Sequence, residues 1–252
     1  MDEAKLKEVA KLLQSRPSLT ILTGAGISAE SGVPTFRGAD GLWRQFRAEE
    51  LATPEAFARN PQLVWEWYDW RRQKIQAVRP NAAHYTLAKW EREFPSFTLI
   101  TQNVDGLHAW AGSTRLLELH GNIWKVRCLK EGTIMDNREV PLPQIPPLCP
   151  ECGSLLRPHV VWFGEALPAD VLEAAFEASR HSEVMLFIGT SAVVQPAASL
   201  PLVASEQGAT LVEINLDPTP LTPYADFSLW GKAGEIMPRL DELIEAFASK
   251  GE

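Results

Sequence analysis

Leu22-Thr23-Gly24-Ala25-Gly26-Ile27-Ser28-Ala29-Glu30-Ser31-Gly32-Val33-Pro34-Thr35-Phe36-Arg37 is the stretch that decides the fold. Just ahead of it, Leu19-Thr20-Ile21-Leu22 reads as a short buried strand. Gly24, Gly26 and Ala29 then stand at GxGxxA spacing, the pattern of a strand that enters a tight turn and a helix. The first glycine would make the turn, the second would let the backbone approach a pyrophosphate, and the small third residue would let helix and strand pack closely. By itself this spacing marks a tight turn more often than a nucleotide site. Here Ser28, Glu30, Ser31, Thr35 and Arg37 follow with no apolar helical face, so the segment reads as a polar loop covering a ligand.

The 252 residues suffice for one large domain, or one domain with a small insertion, and a hydrophobic content of 45% allows a full core. A net charge of −8 argues against a nucleic-acid surface, which needs clustered Lys and Arg. No apolar run approaches the length of a membrane span, about 18 residues. The N-terminus is charged and helical in pattern, unlike a signal peptide. Three cysteines, two of them in Cys149-Pro-Glu-Cys152, do not make a secreted disulfide framework, and the expected compartment is the cytoplasm.

Leu6, Val9, Ala10, Leu12 and Leu13 form a helical stripe ahead of Pro17. From Leu42 to Val78 the chain is rich in Trp, Phe, Arg and Glu, with Pro54 and Pro61 at expected helix starts, and reads as a helical insertion. In its segment Trp65–Arg72, Tyr68 and Arg71 are three apart and share a helix face. From the residues alone, the aromatics belong to the core and the arginines to solvent. His84, alone on a helical face, reads as a satisfied core or boundary residue. Strands are expected at 97–101, 116–119, 184–188 and 210–214, with a last one near 226–230, and helices at 168–181, near 196–206 and at about 235–248. Residues 122–158, with Cys128, Cys149, Cys152 and several prolines, read as a loop-rich insertion that needs a staple.

Five apolar runs end in glycine or polar residues: Gly24, Asn103, His120, Ser191 and Asn215. Strands alternating with helices make a mostly parallel sheet, and such sheets bind ligands outside the carboxyl ends of their strands. The expected fold is α/β: a Rossmann-like, mostly parallel sheet with helices on both faces, plus a smaller domain built from the two insertions. A dehydrogenase would carry an acidic residue about 20 positions past the glycines, at a strand end. Residues 42–47 offer none, and Asn215 and Asp217 are the better candidates for ribose contacts.

Gly24-Ala-Gly-Ile-Ser28 with Gly32-Val-Pro-Thr-Phe-Arg-Gly38 resembles the signature of the sirtuins, NAD-dependent protein-lysine deacylases. Gln102-Asn-Val-Asp105, Leu119-His-Gly121, Pro158–Gly164, Gly189-Thr-Ser191 and Asn215-Leu-Asp217 recur in the family's order, so the resemblance spans nearly the whole chain. It implies one catalytic unit: residues 1–41, 80–121 and 159–252 as the large domain, 42–79 and 122–158 as the small one. It further implies that the acyl-lysine oxygen attacks C1′ of the nicotinamide ribose, that nicotinamide leaves, and that His120 acts as general base on the ribose hydroxyls. The products would be free lysine and O-acyl-ADP-ribose. Asn103 joins His120 as catalytic.

By the same resemblance, Gly24, Ala25, Gly26, Ser28, Thr35, Phe36, Arg37, Trp43, Gln102, Asn103 and Asp105 contact the cofactor. So do Gly189, Thr190, Ser191, Asn215, Leu216, Asp217 and Ala233. Val161, Trp162, Phe163 and Gly164 hold the acyl-lysine peptide as an added strand. Tyr68 and Arg71 resemble the Tyr-x-x-Arg of the bacterial class III type, which accepts succinyl and malonyl groups; the implied partners are acylated lysines of cytosolic proteins. Two other readings stay open, a protein ADP-ribosyltransferase and a non-catalytic module that binds NAD or ADP-ribose. The sequence departs from the family at the metal. Of the family's two CxxC pairs, Cys149–Cys152 is intact, whereas the first has only Cys128, with Leu-Lys-Glu131 after it. Either one structural zinc is held by the three cysteines, with Glu131 as a candidate fourth ligand, or the site is degraded to free thiols.

Overall fold

The computed structural model describes residues 2–34, 42–43 and 46–249. In chain order the elements are α1 (Glu3–Gln14), β1 (Leu19–Thr23), α2 (Ala25–Ala29), β2 (Leu42–Trp43), β3 (Phe46–Arg47), α3 (Ala48–Leu51), α4 (Pro54–Arg59), α5 (Pro61–Gln76) and α6 (Ala82–Glu93). Then follow β4 (Phe97–Thr101), α7 (Leu107–Ala111), β5 (Leu116–Glu118), β6 (Gly121–Cys128), β7 (Ile134–Asp136), β8 (Leu156–Val160) and α8 (Ala169–Arg180). The chain closes with β9 (Val184–Ile188), α9 (Leu200–Glu206), β10 (Thr210–Asn215), β11 (Phe227–Trp230) and α10 (Ala233–Ala248).

Six strands form one sheet in the order β11-β10-β9-β1-β4-β5, and every pairing in it is parallel. β1 and β9 are buried at every position, as central strands covered on both faces must be. On one face Ile21, Leu99, Leu186 and Val212 pack with α1, α6 and α10 residues such as Leu13, Trp90 and Leu240. On the other, Leu22, Ile100, Phe187 and Leu211 pack with Ala175 of α8 and Leu200 and Ala204 of α9. The order reverses beside β1, between β9 and β4, which puts a topological switch point at the carboxyl end of β1.

The helical insertion starts its helices at the expected prolines. Thr53 and Asn60 cap α4 and α5 through side-chain oxygens, and Pro54 and Pro61 occupy the first turns, where no backbone N–H is needed. The segment 122–158 differs from expectation. Most of β6 and β8 lies within it, and with β7 they form a three-stranded antiparallel sheet in the order β7-β6-β8. Its core is shared: Ile123, Val126, Leu156 and Cys128 pack with Val64, Trp65, Trp67 and Tyr68 of α5. Trp65 Nε1 donates to the Leu156 carbonyl at 2.8 Å, and Arg72 Nε donates to the Ile123 carbonyl at 2.8 Å. The two insertions thus make one hydrophobic unit. The expectation of solvated arginines also fails, because Arg71 and Arg72 are both buried. Among the described residues, no helix is long and apolar enough to cross a membrane.

The glycine loop shows what its small residues are for. Gly24 N–H donates to the Ile188 carbonyl at 3.0 Å and Gly26 N–H to the Gly189 carbonyl at 2.8 Å. A Cβ on Gly26 would lie 2.7 Å from Gly189 Cα, and one on Gly189, whose φ is +58°, would lie 2.5 Å from Ile27 N. The backbone approach expected toward a pyrophosphate is therefore made first of all by one glycine segment against another. Alanine is the better helix former by about 1 kcal/mol, yet Gly26→Ala at the start of α2 should destabilise the protein by about 1–3 kcal/mol through overpacking against backbone. Denaturant unfolding of the variant checks this; a neutral or stabilising result would remove the contact from its structural role.

Candidate active site

The strand ends converge on the switch point. Asn103, just past β4, is 8% exposed. Its Nδ2 donates to the Gly24 carbonyl at 3.0 Å and to Ser28 Oγ at 3.2 Å, which ties the end of β4 to the glycine loop. Gln102 Nε2 donates to Thr190 Oγ1 at 2.9 Å, and Asn215 Nδ2 donates to the Thr190 carbonyl at 2.8 Å. Residues expected at the cofactor from four strand ends are thereby linked through Gly24, Ser28 and Thr190. Ser191, Leu216 and Asp217 sit at the same edge and are exposed, Leu216 at 64%. Ala233 starts α10 two residues after Gly231, whose N–H donates to the Asn215 carbonyl at 2.9 Å. Thr35, Phe36 and Arg37, and the side chain of Trp43, lie outside the described residues. Ala25 opens α2 between the two glycines.

Beneath this surface runs a buried polar column whose direction can be read from its donors. The Asn81 N–H donates to His84 Nδ1 at 3.3 Å, so the proton of neutral His84 is on Nε2, 3.4 Å from Ser28 Oγ. Ser28 in turn bonds the Asp105 carboxyl, which also accepts the Leu107 N–H at 2.8 Å. Burial pushes the Asp105 carboxyl above the usual carboxylate range, against these donors and the Arg71 guanidinium, which favour its charged form. His108 Nε2 meets Thr23 Oγ1 at 3.0 Å, and its ring lies 4.8 Å from that of His84. His84 thus proves to be a satisfied core residue, but one that supports Ser28. His108, on the short helix α7, went unmarked in the sequence; only its place three residues after Asp105 pointed to it.

His120 sits just past β5. Its Nδ1 is 2.9 Å from the Gln102 carbonyl oxygen, which can only accept, so Nδ1 carries the proton and Nε2 presents a lone pair. Burial holds the ring below the ordinary histidine pKa, with the Gln102 carbonyl working the other way. The base form therefore dominates at neutral pH.

The expected peptide segment lies alongside. Val161 N–H donates to the His120 carbonyl at 2.9 Å, Phe163 N–H donates to the Ala52 carbonyl at 2.9 Å, and the Phe163 ring is exposed. Gly164 follows with φ +87°. Glu165 fixes this turn by accepting from the Trp162 N–H at 2.8 Å and from both terminal nitrogens of Arg157. Trp162 Nε1 donates to Tyr68 Oη at 2.9 Å, so the expected peptide wall and the expected acyl residues meet. Burial pushes the Tyr68 phenol up to about 12, which keeps it a neutral hydroxyl. Arg71 lies 5.2 Å over the Trp67 ring; burial lowers its pKa, while Tyr68 and Asp105 favour its charge.

The three cysteines also come together. Their sulfur atoms lie within 4.8 Å of one another, and none is in a disulfide. Three converging thiols match the donors that zinc takes in structural sites. The Glu131 carboxylate stands apart from them, 3.4 Å from Lys130 Nζ.

The family model of the Sir2 family matches residues 24–196, more than half of the chain. The chain belongs to the Sir2 family. An NAD-dependent protein deacylase of Aquifex aeolicus (strain VF5) is 58% identical over 235 residues, which cover 93% of this chain and 98% of that protein. A Sir2 homologue solved as a complex with NAD is 50% identical, with a TM-score of 0.88 over 98% of this chain and 95% of that one. A Sir2 protein solved with a p53 peptide and NAD+ is 36% identical, with a TM-score of 0.84 over 94% of this chain and 97% of that one.

The Sir2 site rests on histidines that must stay neutral. Burial holds His84 at about 4 and His108 well below 6.5. Because their folded pKa values are depressed, their stabilising contribution is present above the unfolded value of 6.5 and is lost as pH falls below it, for His84 down to about 4. Each group can add up to about 1.4 kcal/mol of destabilisation per pH unit within its window. The melting temperature should fall over that range, and His84→Gln should flatten the acid slope even if it lowers stability at pH 7. An unchanged slope in the variant would show that the acid sensitivity arises elsewhere.

Proposed function

We propose that the protein is an NAD-dependent protein-lysine deacylase whose general base is His120. The observation that carries this reading is the Nδ1–H bond from His120 to the Gln102 carbonyl, which leaves Nε2 as a free base beside the peptide segment. NAD, when bound, supplies an ADP-ribose that accepts the acyl group, with nicotinamide as leaving group. The residues of the chain do the rest. Gly24, Gly26, Ser28, Gly189 to Ser191, Asn215 to Asp217 and Ala233 line the place for the dinucleotide, with Thr35, Phe36, Arg37 and Trp43 assigned to the covering loop. Asn103 and Asp105 orient the reacting end, and Asn103 is already held by the glycine loop and Ser28. His120 Nε2 takes a proton from a ribose hydroxyl, a task suited to a base that is neutral at pH 7. Val161 to Gly164 hold the peptide by main-chain bonds, which give affinity without demanding one sequence.

This reading divides the chain into a large domain of residues 1–41, 80–121 and 159–252 and a small domain of 42–79 and 122–158. The separate apolar clusters on the parallel sheet and between α5 and β6–β8 support that division. The substrates are acylated lysines of cytosolic proteins, and three thiols outside any disulfide suit a cytoplasmic protein.

Nicotinamide should be released only when NAD and an acyl-lysine peptide are both present, with O-acyl-ADP-ribose detected by mass spectrometry. Equal NAD cleavage without peptide would sink the deacylase reading, and label from NAD retained on protein would indicate ADP-ribosyl transfer. His120→Ala should lose about 10²–10⁴-fold in turnover while still folding and binding NAD. In the intact enzyme, kcat/KM should be flat at neutral pH and fall on acidification only below the ordinary histidine range.

The acyl range of the site includes succinyl and malonyl groups. A succinyl carboxylate must be desolvated to enter, which is costly without a partner. Arg71 offers a planar fork and Tyr68 a hydroxyl whose oxygen already accepts from Trp162. A charged hydrogen bond contributes about 1.5–3 kcal/mol, so Arg71→Met should lower desuccinylation by roughly ten- to a hundredfold and deacetylation much less. Equal loss of both would mean that Arg71 serves Asp105 and the fold alone.

A further inference from the structure

The cysteine cluster contains a duplicated backbone device that identifies a fourth position. In the first loop, Cys128 N–H donates to the Thr133 carbonyl at 2.9 Å, and Gly132 N–H donates to the Cys128 carbonyl at 2.9 Å. In the second, Cys149 N–H donates to the Ser154 carbonyl at 2.7 Å, and Gly153 N–H donates to the Cys149 carbonyl at 2.9 Å. The glycines have nearly the same left-handed φ, +71° and +70°. The likeness extends to sulfur. Glu131 N–H donates to Cys128 Sγ at 3.4 Å, as Cys152 N–H does to the Cys149 thiol. Two loops of one shape therefore bring four equivalent positions together: 128 and 131 in one, 149 and 152 in the other. Three carry cysteine and the fourth carries Glu131.

We propose that Glu131 is the fourth zinc ligand, so that the metal is held by three thiolates and one carboxylate. Zinc accepts carboxylate oxygen beside cysteine sulfur. Backbone N–H bonds to Cys128 and Cys149 fix the direction of their sulfur atoms, as outer partners of metal ligands do. Glu131 is half-exposed, and its carboxylate faces Lys130 Nζ in a surface ion pair. Such a pair holds a side chain only weakly. Glutamate is longer than cysteine, and a change of side-chain rotamer at a position whose backbone already faces the cluster is all that ligation requires.

The test is zinc affinity of the full-length protein under reducing conditions, measured by competition with a chromogenic chelator, together with the absorption spectrum of the cobalt(II)-substituted protein. Loss of an outer partner costs roughly ten- to a hundredfold in metal affinity, so Glu131→Ala should cost no less than about tenfold. Glu131→Gln, which removes the charge but keeps the shape, should lose nearly as much. Glu131→Cys should retain or exceed wild-type affinity and add a fourth thiolate's share of sulfur-to-cobalt absorption. Wild-type affinity in both Glu131→Ala and Glu131→Gln would overturn the assignment. If Glu131→Ala does not fold, the cysteine variant decides: cobalt absorption no stronger than in the wild type means that position 131 does not face the metal.

Discussion

The contact on which the rest depends is backbone against backbone, where Gly24 and Gly26 at the end of β1 meet Gly189 at the end of β9. Neighbouring parallel strands lie close enough that their outgoing loops compete for one space, and side chains on either loop would force them apart. With glycine on both sides, the N–H of Gly26 reaches the Gly189 carbonyl, and the glycine loop lies down across the sheet edge. Its position fixes where Asn103 must reach to bond the Gly24 carbonyl, and where Ser28 stands over Asp105. The ligand crevice of an open parallel sheet is a consequence of topology. Here its floor is set by three residues without side chains.

The second unit obeys a different rule. Neither insertion is large enough to bury a core alone, but each supplies what the other lacks. α5 buries two tryptophans, a tyrosine, an aspartate and two arginines. Arg72 keeps its charge in this setting because the Ile123 carbonyl and Asn137 accept from it and the Trp65 and Trp124 rings flank it. Burial nevertheless lowers it to about 10. The polar groups of α5 thus act as connectors to β6 and β8, and through Tyr68 and Trp162 the connection continues to residues 161–164, the proposed peptide wall beside His120.

The parallel sheet was legible because its strands are short apolar runs with polar ends, and period and punctuation agree. Gly24, Asn103, His120 and Asn215 fall at strand ends as that pattern requires. The sheet of β6, β7 and β8 was not legible. Prolines between 141 and 158 obscured it, and β6 is buried at nearly every position against α5, so it lacks the alternation of a half-exposed strand. The reach of Tyr68 was visible as helical spacing, but its bond to Trp162 spans 94 residues and only the fold supplies it. The role of Gly189 was hidden for a related reason: a glycine shows that something comes close, never what. Likewise Cys128-Leu-Lys-Glu131 looked like a broken motif, because sequence compares residue types whereas the two loops share backbone bonds.

In the proposed reading, the chemistry and the choice of acyl group reside on different elements, which lets each be tuned by different forces. The proposed reacting side stands on strand ends, where Gln102 is held by the Thr190 hydroxyl, Asn103 by the Gly24 carbonyl and Ser28, and His120 by the Gln102 carbonyl, and where burial shifts Asp105 and His120 toward their neutral forms. In the proposed reading, acyl recognition stands on α5, where Tyr68 and Arg71 belong to a helix packed in the other core. On that reading a substitution on α5 would alter how much desolvation a given acyl group must bear, while the proton on His120 Nδ1 stays fixed by the Gln102 carbonyl. Asp105 is the point of contact between the two. It bonds Ser28 beneath the glycine loop and shares the electrostatic field of Arg71. Changes in charge on α5 are therefore felt beneath the glycine loop through this buried carboxyl group.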